Sequence, residues 1–397
     1  MKLMTVEAAR AAMLAEAPAL PAETVALADA IGRTLAAEVT ARRDQPPFTN
    51  SAMDGWAVRA ADTPGTLTII GESAAGHGYA GELAAGQAVR IFTGAALPAG
   101  ADSVVIQEDA TLEGDRVTVP ATPPGDNVRE AGRDFRAGEV LLARGLRLDP
   151  WRLSLAASAG HAELSVHRRP RVAILSTGEE IVDAPTTPGP FQIYDSGSPA
   201  LKAMAEAWGA TATRRSGVRD QLDAVIAAMA DAEAELIVTV GGASVGDHDL
   251  VRAAAQALGL SLRVESVAVR PGKPTFFGVL ADGRRLLGLP GNPASAFVCA
   301  ELFLKPLIGA WCGQPHLPAM AAARLAQPLA ANGPREHWMR ARLAPAPDGG
   351  WLVEPYRDQD SSLVAVFANA DALLRRPAGA PAAAAGELVE VLPLDRA

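Results

Sequence analysis

The stretch ELIVTVGGASVGDHDL, residues 235–250, concentrates groups that could do chemistry. An apolar run ends in Gly241 and Gly242. Ser244, Gly246, Asp247, His248 and Asp249 follow before the helical pattern LVRAAAQ begins. Adjacent glycines permit positive φ and let a ligand touch the backbone. Free amides beside a helix start form an anion cradle, to which Ser244 adds a hydroxyl donor. Asp247 and Asp249 would repel a bare phosphate. Carboxylates beside an anion site point to an intervening Mg²⁺, which takes oxygen ligands from protein and phosphate together. Either aspartate also suits a helix cap, and His248 suits solvent as well as a metal. The stretch is neither a P-loop nor GxGxxG, so a dinucleotide reading is weak.

Other stretches offer smaller groups. In VAVRPGKPTFF, Arg270 and Lys273 bracket a Pro-Gly turn, which suits a phosphate or oxyanion or a plain hairpin turn. In LPGNPASAF, Pro290, Gly291, Asn292 and Pro293 precede a helix whose N-terminus is a second anion site. QPPFTNSAMDGWAVRAAD carries Asp54, RIFTGAALPAGADSVV carries Thr93, and NVREAGRDFRAGEVL carries Asp134 among arginines. Taken singly, these three read as turns or surface ion pairs.

The formal net charge is −9, from 36 basic and 45 acidic residues. That balance argues against a nucleic-acid groove or an anionic membrane surface, since both want clustered positive charge. An anionic ligand must therefore be held by local donors. Cys299 and Cys312 fit no zinc spacing, and Cys299 lies in an apolar helical run as a core thiol. MKLMTVEAARAAMLAEAP carries acidic residues and lacks the apolar core of a signal peptide. No window approaches about 18 uninterrupted apolar residues. A cytoplasmic protein is the expectation, with no nucleic-acid and no membrane partner.

The elements that must position these groups fall into four blocks. Residues 1–42 read as two helices, VEAARAAMLAEA capped by Thr5 and LADAIGRTLAAEV. Residues 43–137 hold short β-rich runs (TLTIIGE, QAVRIFTGA, DSVVIQED, DRVTVP) between Gly and Pro turns, a small β-rich domain. Residues 138–168 include the helical WRLSLAASAGHAEL and are expected to join 1–42 in one discontinuous linker domain. Residues 169–312 alternate strands and helices, which predicts a mostly parallel sheet covered on both faces. Ligands in such sheets sit outside the carboxyl ends of the strands, here STGEE, GVRD, GGASVGD and LPGNP. Residues 313–397 read as a small β-domain, with GAPAAAAG a flexible loop. The fold class is α/β plus β, in a multidomain chain.

PPFTNSAMDGWAVR, IFTGAALPAGADSVV, STGEE, GGASVGDHD, RPGKP and LPGNP occur in that order. Together they resemble the molybdopterin molybdenumtransferase family, the molybdenum insertases that include MoeA and the gephyrin E-domain, over nearly the whole chain. The resemblance implies an elongated four-part subunit with a central molybdopterin-binding α/β domain, working as a homodimer. It implies a metal-dependent transferase of molybdenum cofactor biosynthesis that inserts molybdate into adenylylated molybdopterin and releases AMP. Its acidic and polar site residues fall on Asp54, Thr93, Asp134, Glu180, Asp220 and Asp249, with Asp220 and Asp249 expected as phosphate-side Mg²⁺ ligands or water-orienting groups. Gly241, Gly242, Ser244, Gly246, Arg270, Lys273, Pro290, Gly291, Asn292, Pro293 and Ser361 fall on the substrate-binding positions. Asp54, Thr93 and Asp134 are implied to face the α/β domain of the partner chain, so that the site is shared. The implied protein partners are the molybdopterin adenylyltransferase and the proteins that mature molybdoenzymes.

The chain departs from the family pattern. Ser266 stands where a lysine is usual, and Arg270 replaces another lysine with a planar fork. Thr49, Trp56 and Arg133 stand where aspartate, tyrosine and glutamate are usual. The family's QGS…LSS pattern reads here Gln359-Asp360-Ser361, then Leu363-Val364-Ala365-Val366, without the paired serines. These departures motivate an alternative, a divergent or non-catalytic molybdopterin-binding scaffold. Tungstate in place of molybdate is a third reading, because the two oxyanions are too alike for sequence to separate.

Overall fold

Thr5 starts the first helix as its hydroxyl predicts. Its Oγ1 accepts the Ala8 amide at 3.2 Å, and α1 runs Val6–Leu14. The computed structural model describes residues 3–241, 250–346 and 349–394. It divides into two compact units, Thr24–Ser165 and Met1–Glu23 with Val166–Ala397. The division at 42, 137, 168 and 312 is finer than this and stays a proposal.

The unit Thr24–Ser165 is built on a six-stranded sheet. Its strands are β1 (Gly55–Val58), β2 (Gly65–Ser73), β3 (Gln87–Ile91), β4 (Ser103–Ile106), β5 (Thr111–Glu113) and β6 (Arg116–Val119). Their order is β4-β1-β3-β2-β6-β5. Period-two alternation sends Trp56 and Val58 to one cluster and Ala57 to another. Helix α2 (Pro150–Ser158) starts at Asp149, whose carboxylate accepts the Arg152 amide at 2.8 Å. The expected helix LADAIGRTLAAEV does not form. Only Leu27–Asp29 makes a tight turn, and Gly32 takes φ +71°. The Gly32 and Leu35 amides donate instead to Leu148 and Leu146, so cross-chain pairing captures the backbone.

In the other unit, β7 (Arg171–Thr177), α3 (Gly197–Ala207), β8 (Thr211–Val218), α4 (Leu222–Ala230), β9 (Leu236–Val240) and α5 (Leu250–Ala257) alternate as predicted. Then come β10 (Ser261–Val264), β11 (Val269–Arg270), β12 (Phe276–Val279), β13 (Arg285–Leu289) and the helix α6, Pro293–Trp311. The sheet order is β8-β7-β9-β13-β12-β10. The first four strands are parallel, and β12 runs antiparallel to both β13 and β10. Helices cover both faces, so β9 is buried along its whole length and carries no polar alternation. Leu287→Ala in that core would cost about 2–5 kcal/mol. Val6, Ala9 and Met13 of α1 pack into the same core. Helix α6 has the length and composition of a membrane span, yet it is 94% buried, with one wider turn at Ala300–Leu304 and a Glu301–Lys305 ion pair at 3.3 Å.

The run RVESVAVRP splits between two sheets. Val267 pairs with Met4, and β11 leaves the α/β sheet to pair with β15 (Glu336–Pro345). With β14 (Ala321–Leu325), β16 (Trp351–Pro355), β17 (Ala372–Arg376) and β18 (Leu388–Pro393), β15 closes a barrel in the order β15-β16-β14-β18-β17-β15. GAPAAAAG, expected as a flexible loop, is tied down. Ala383 is buried, and it exchanges backbone hydrogen bonds with Leu329 at 2.8 and 2.9 Å.

Candidate functional site

β7, β9 and β13 end side by side at Thr177, Val240 and Leu289. A cavity of about 440 Å³ opens beyond them. Parallel strands put every carboxyl end on one edge, so a ligand there meets several loops at once. Gly241 makes the close approach possible. It has φ +92°, and a Cβ on it would stand 3.0 Å from the Thr177 carbonyl and 3.2 Å from the Thr177 hydroxyl. A Cβ on Gly291 would in turn stand 3.3 Å from Gly241 Cα. Glu180, Gly241, Gly291, Asn292 and Pro293 are thereby brought to one cavity wall, with Pro290 buried immediately before them.

The helix ends facing the cavity are already engaged. Asp195 Oδ1 accepts the Gly197 and Ser198 amides at 3.1 and 2.9 Å, and its Oδ2 accepts the Ser198 hydroxyl at 2.5 Å. Asp195 thus closes the N-terminus of α3. Arg214 donates to Asp183 at 2.7 Å and stands 3.9 Å from Asp195. That hydrogen bond holds the Asp183 carboxyl below its ordinary range. At α6 the Ala294 amide donates to the Ser361 carbonyl at 3.1 Å, and Asn292 Nδ2 donates to Ser361 Oγ at 2.7 Å. The anion site expected at LPGNP is therefore partly filled by the chain itself.

Thr177 Oγ1 is buried without a hydrogen-bond partner. The Glu180 carboxylate lies against Gly178, where a Cβ would meet Oε2 at 2.5 Å. Asp220 is exposed, two residues past the end of β8 on the same sheet edge, and does not line the cavity. Gly242, Ser244, Gly246, Asp247, His248 and Asp249 lie outside the described residues.

A second cluster gathers cations. Arg270 and His337 are register partners on β11 and β15, and Arg335 Nη1 donates to the Val269 carbonyl at 3.5 Å. Arg340, on β15, is wholly buried. Its Nη2 donates to the Asp360 carbonyl at 2.8 Å, while Nε and Nη1 have no partner. Among the described residues no carboxylate pairs with it within 4 Å. Burial lowers the Arg340 pKa, partly offset by Asp358 and Asp360. Burial, with Arg270, Arg340 and Arg335, pushes the His337 pKa down to about 4, and its Nε2 is also unpartnered. Lys273 and Arg270 are exposed at the turn before β12. Gly272 in that turn has φ +119° and packs against Cys299, whose buried thiol is pushed up to about 12. Cys299 is a core thiol held by Thr275 at 3.1 Å.

In the unit Thr24–Ser165, Asp54 and Thr93 meet directly through the Thr93 amide and hydroxyl. Arg90 lies over Trp56 and Phe92, 5.1 and 4.9 Å from their centroids, and donates to the Gly55 carbonyl at 3.1 Å. Asp134 is exposed beside the Gln45–Phe135 bridge. No ion pair holds it among the described residues, against the surface-pair reading. Thr177, Asp195, His337 and Arg340 were not legible as site residues in sequence. The one signal for Arg340 is a cation inside the apolar strand HWMRARL, with no acidic residue in that run to pair with it.

Comparison with known proteins agrees with this arrangement along the whole chain. The pattern described as MoeA N-terminal region (domain I and II) matches residues 4–160. The probable molybdopterin binding domain matches 173–310, and the MoeA C-terminal region (domain IV) matches 322–394. The molybdopterin molybdenumtransferase of Bacillus subtilis (strain 168) is 36% identical over 386 residues, 93% of this chain and 89% of its own. The chain belongs to the molybdopterin molybdenumtransferase family. The protein of the same name from Nostoc sp. is 38% identical over 81% of this chain and 77% of its own. The crystal structure of the molybdopterin biosynthesis MoeA protein from Pyrococcus horikosii superposes with a TM-score of 0.85 at 30% identity, covering 100% of both chains. Within the family, the fold is the expected one: a central α/β molybdopterin-binding domain between an N-terminal region and a barrel-like C-terminal domain.

Of the departures from the family pattern, Ser266 is buried, and its Oγ is unpartnered. Trp56 is buried under Arg90, and Arg133 is exposed.

Proposed function

We propose that this chain inserts molybdate into adenylylated molybdopterin and releases AMP. It is a transferase of molybdenum cofactor biosynthesis, as its family membership carries. The non-catalytic scaffold alternative is not favoured, because relatives named as transferases align over most of the chain.

The observation that carries the molybdate step is Arg340, a buried guanidinium with two unpartnered nitrogens and, among the described residues, no carboxylate within 4 Å. A buried cation that Asp358 and Asp360 only partly offset is costly, and a tetrahedral dianion would compensate it further. Neutral His337 and Arg270, near enough to act electrostatically on Arg340, add donors in the neighbourhood. Arg340 and Arg270 thus supply charge that Ser266 does not.

Mg²⁺ is part of the proposal, with Asp220 and Asp249 its proposed ligands between protein and phosphate. Among the described residues no three His, Cys, Asp or Glu side chains gather as a metal shell. Asp54, Thr93 and Asp134 are proposed to serve the α/β domain of a partner copy in a homodimer. The adenylyltransferase that makes the substrate and the proteins that mature molybdoenzymes are the proposed contacts on either side of the reaction.

The test is AMP release from adenylylated molybdopterin with Mg²⁺ and molybdate. Wild-type protein is expected to release AMP in proportion to molybdate. Release no greater than in a protein-free control removes the proposal.

A further inference from the structure

Arg90 stands on β3 opposite Trp56 of β1. Its guanidinium carbon lies over two rings, 5.1 Å from the Trp56 centroid and 4.9 Å from that of Phe92. Aromatic faces hold a cation without neutralising it. Among the described residues no carboxylate pairs with Arg90 within 4 Å. Its hydrogen bonds go to neutral oxygens instead. Nη1 donates to the Gly55 carbonyl at 3.1 Å, and Nη2 donates to Gln107 Oε1 at 2.6 Å. A planar fork serves two such acceptors at once in a fixed geometry, which a lysine cannot do.

Both acceptors adjoin Asp54. Gly55 follows it in sequence, and the Gln107 amide donates to the Asp54 carbonyl at 3.1 Å. The backbone has no slack there, because a Cβ on Gly55 would collide with the Val105 carbonyl of β4. Arg90 therefore grips the carbonyl that follows Asp54 and the residue that holds the carbonyl of Asp54 itself. Thr93, three positions along from Arg90, donates its amide and hydroxyl to Asp54 Oδ1. Asp54 Oδ2 takes no hydrogen bond among the described residues. The Thr93 amide and then its hydroxyl hold the Asp54 carboxyl below its ordinary range, and the charge of Arg90 acts in the same direction.

We infer that Arg90 is a positioning residue for Asp54: its fork, seated on Trp56 and Phe92, fixes the backbone from which the carboxylate is aimed and sets an unneutralised positive charge near it. Thr93 then fixes one carboxylate oxygen and leaves the other for a reacting group or a metal. Trp56 stands where the family usually has tyrosine. Tryptophan is the stronger ring for a cation, so this departure reinforces the seat of Arg90.

This assignment rests on the reading of Asp54 as a site residue for molybdate insertion, and its test reads Asp54 apart from turnover. Carboxyl NMR of the full chain, assigned with Asp54→Asn, follows the Asp54 pKa. AMP release from adenylylated molybdopterin with Mg²⁺ and molybdate follows the reaction. Arg90→Met is expected to raise the Asp54 pKa and to move the acid limb of the AMP-release pH profile up with it. It should lower AMP release about tenfold or more, the cost of a misaimed group. Arg90→Lys keeps the charge and loses the fork. Its Asp54 pKa is expected to stay near that of wild type, while AMP release recovers only in part. In the Asp54→Asn background, Arg90→Met is expected to lower the residual AMP release by less than about twofold, because its effect passes through the carboxylate. Circular dichroism of each variant checks the fold, and Arg90→Lys keeps the test open if Arg90→Met fails to fold. An Asp54 pKa unmoved in Arg90→Met, full AMP release in Arg90→Lys, or a loss as large in the Asp54→Asn background as in wild type each overturns the inference and leaves Arg90 a staple of the sheet. If wild type releases no AMP, the insertion reading fails, and the Asp54 pKa still decides whether Arg90 holds the carboxylate.

Discussion

Thr93 donates twice to one oxygen of Asp54, its amide at 2.7 Å and its hydroxyl at 2.8 Å from Oδ1. The amide bond, then the hydroxyl bond, holds the Asp54 carboxyl below its ordinary range. Asp54 is fully exposed, so this is a statement about orientation and charge more than about stability. Its sign is fixed: the contribution is present above the unfolded value, about 3.9, and is lost as pH falls through the lower folded value. Thr93→Val removes the hydroxyl bond and keeps the amide bond. The Asp54 pKa, followed by carboxyl NMR, should then rise part-way toward the unfolded value. AMP release should fall about three- to tenfold, since the carboxylate is aimed by one bond in place of two. An unmoved pKa would show that the hydroxyl does not hold the carboxylate.

Arg340 separates stability from function. A buried arginine that no carboxylate pairs among the described residues stabilises the fold poorly, and an apolar residue of similar length fills the same space. Arg340→Met is expected to leave the melting temperature unchanged or raise it. Molybdate-dependent AMP release should meanwhile fall about 10²-fold or more, the usual cost of removing an oxyanion donor. Calorimetry and the AMP assay on the same preparation check both signs. A variant that melts lower and still turns over would assign Arg340 to packing.

The contrast between Glu180 and Arg340 shows what sequence could carry. Strand and helix periods placed β7, β9, β13 and the loops at their ends, so Glu180, Gly241 and Asn292 were legible as neighbours before any coordinates. Arg340 was not, because its role depends on a missing partner. A strand arginine reads the same whether a carboxylate faces it or not, and only burial tells the two apart. The helix expected over LADAIGRTLAAEV failed for a related reason. Its local propensity was sound, but pairing with residues 146–148, over a hundred positions away, offered the backbone a better partner.

Gly241 and Gly94 make a controlled pair. Both have positive φ, +92° and +82°, so alanine strains the backbone at either by about 1–2 kcal/mol. A Cβ at Gly94 meets nothing within 4 Å, whereas at Gly241 it lies 3.0 Å from the Thr177 carbonyl. Gly241→Ala should therefore lower stability by more than Gly94→Ala. It alone should weaken binding in the cavity, by displacing Thr177. Denaturant unfolding and pterin titration of the two variants check this. Equal effects would mean that the dihedral angle, and not the close approach, is what Gly241 supplies.

His337 sets a pH dependence whose sign follows from its burial. Its pKa falls from 6.5 to about 4, because burial and the cations Arg270, Arg340 and Arg335 disfavour the imidazolium. The folded state therefore binds the proton less readily than the unfolded chain. Stability contributed by this group is complete above pH 6.5 and is lost as pH falls toward 4, by about 3 kcal/mol over the window. A dianion seated beside Arg340 acts oppositely: it favours imidazolium, so its binding takes up a proton and tightens as pH falls. Thermal unfolding between pH 7.5 and 4.5 should show a destabilisation that His337→Leu largely abolishes. Sulfate, a dianion that does not condense in acid, should stabilise wild type more at pH 5.5 than at pH 7.5, and the His337→Leu variant equally at both. A pH-independent sulfate effect in wild type would place the anion away from His337.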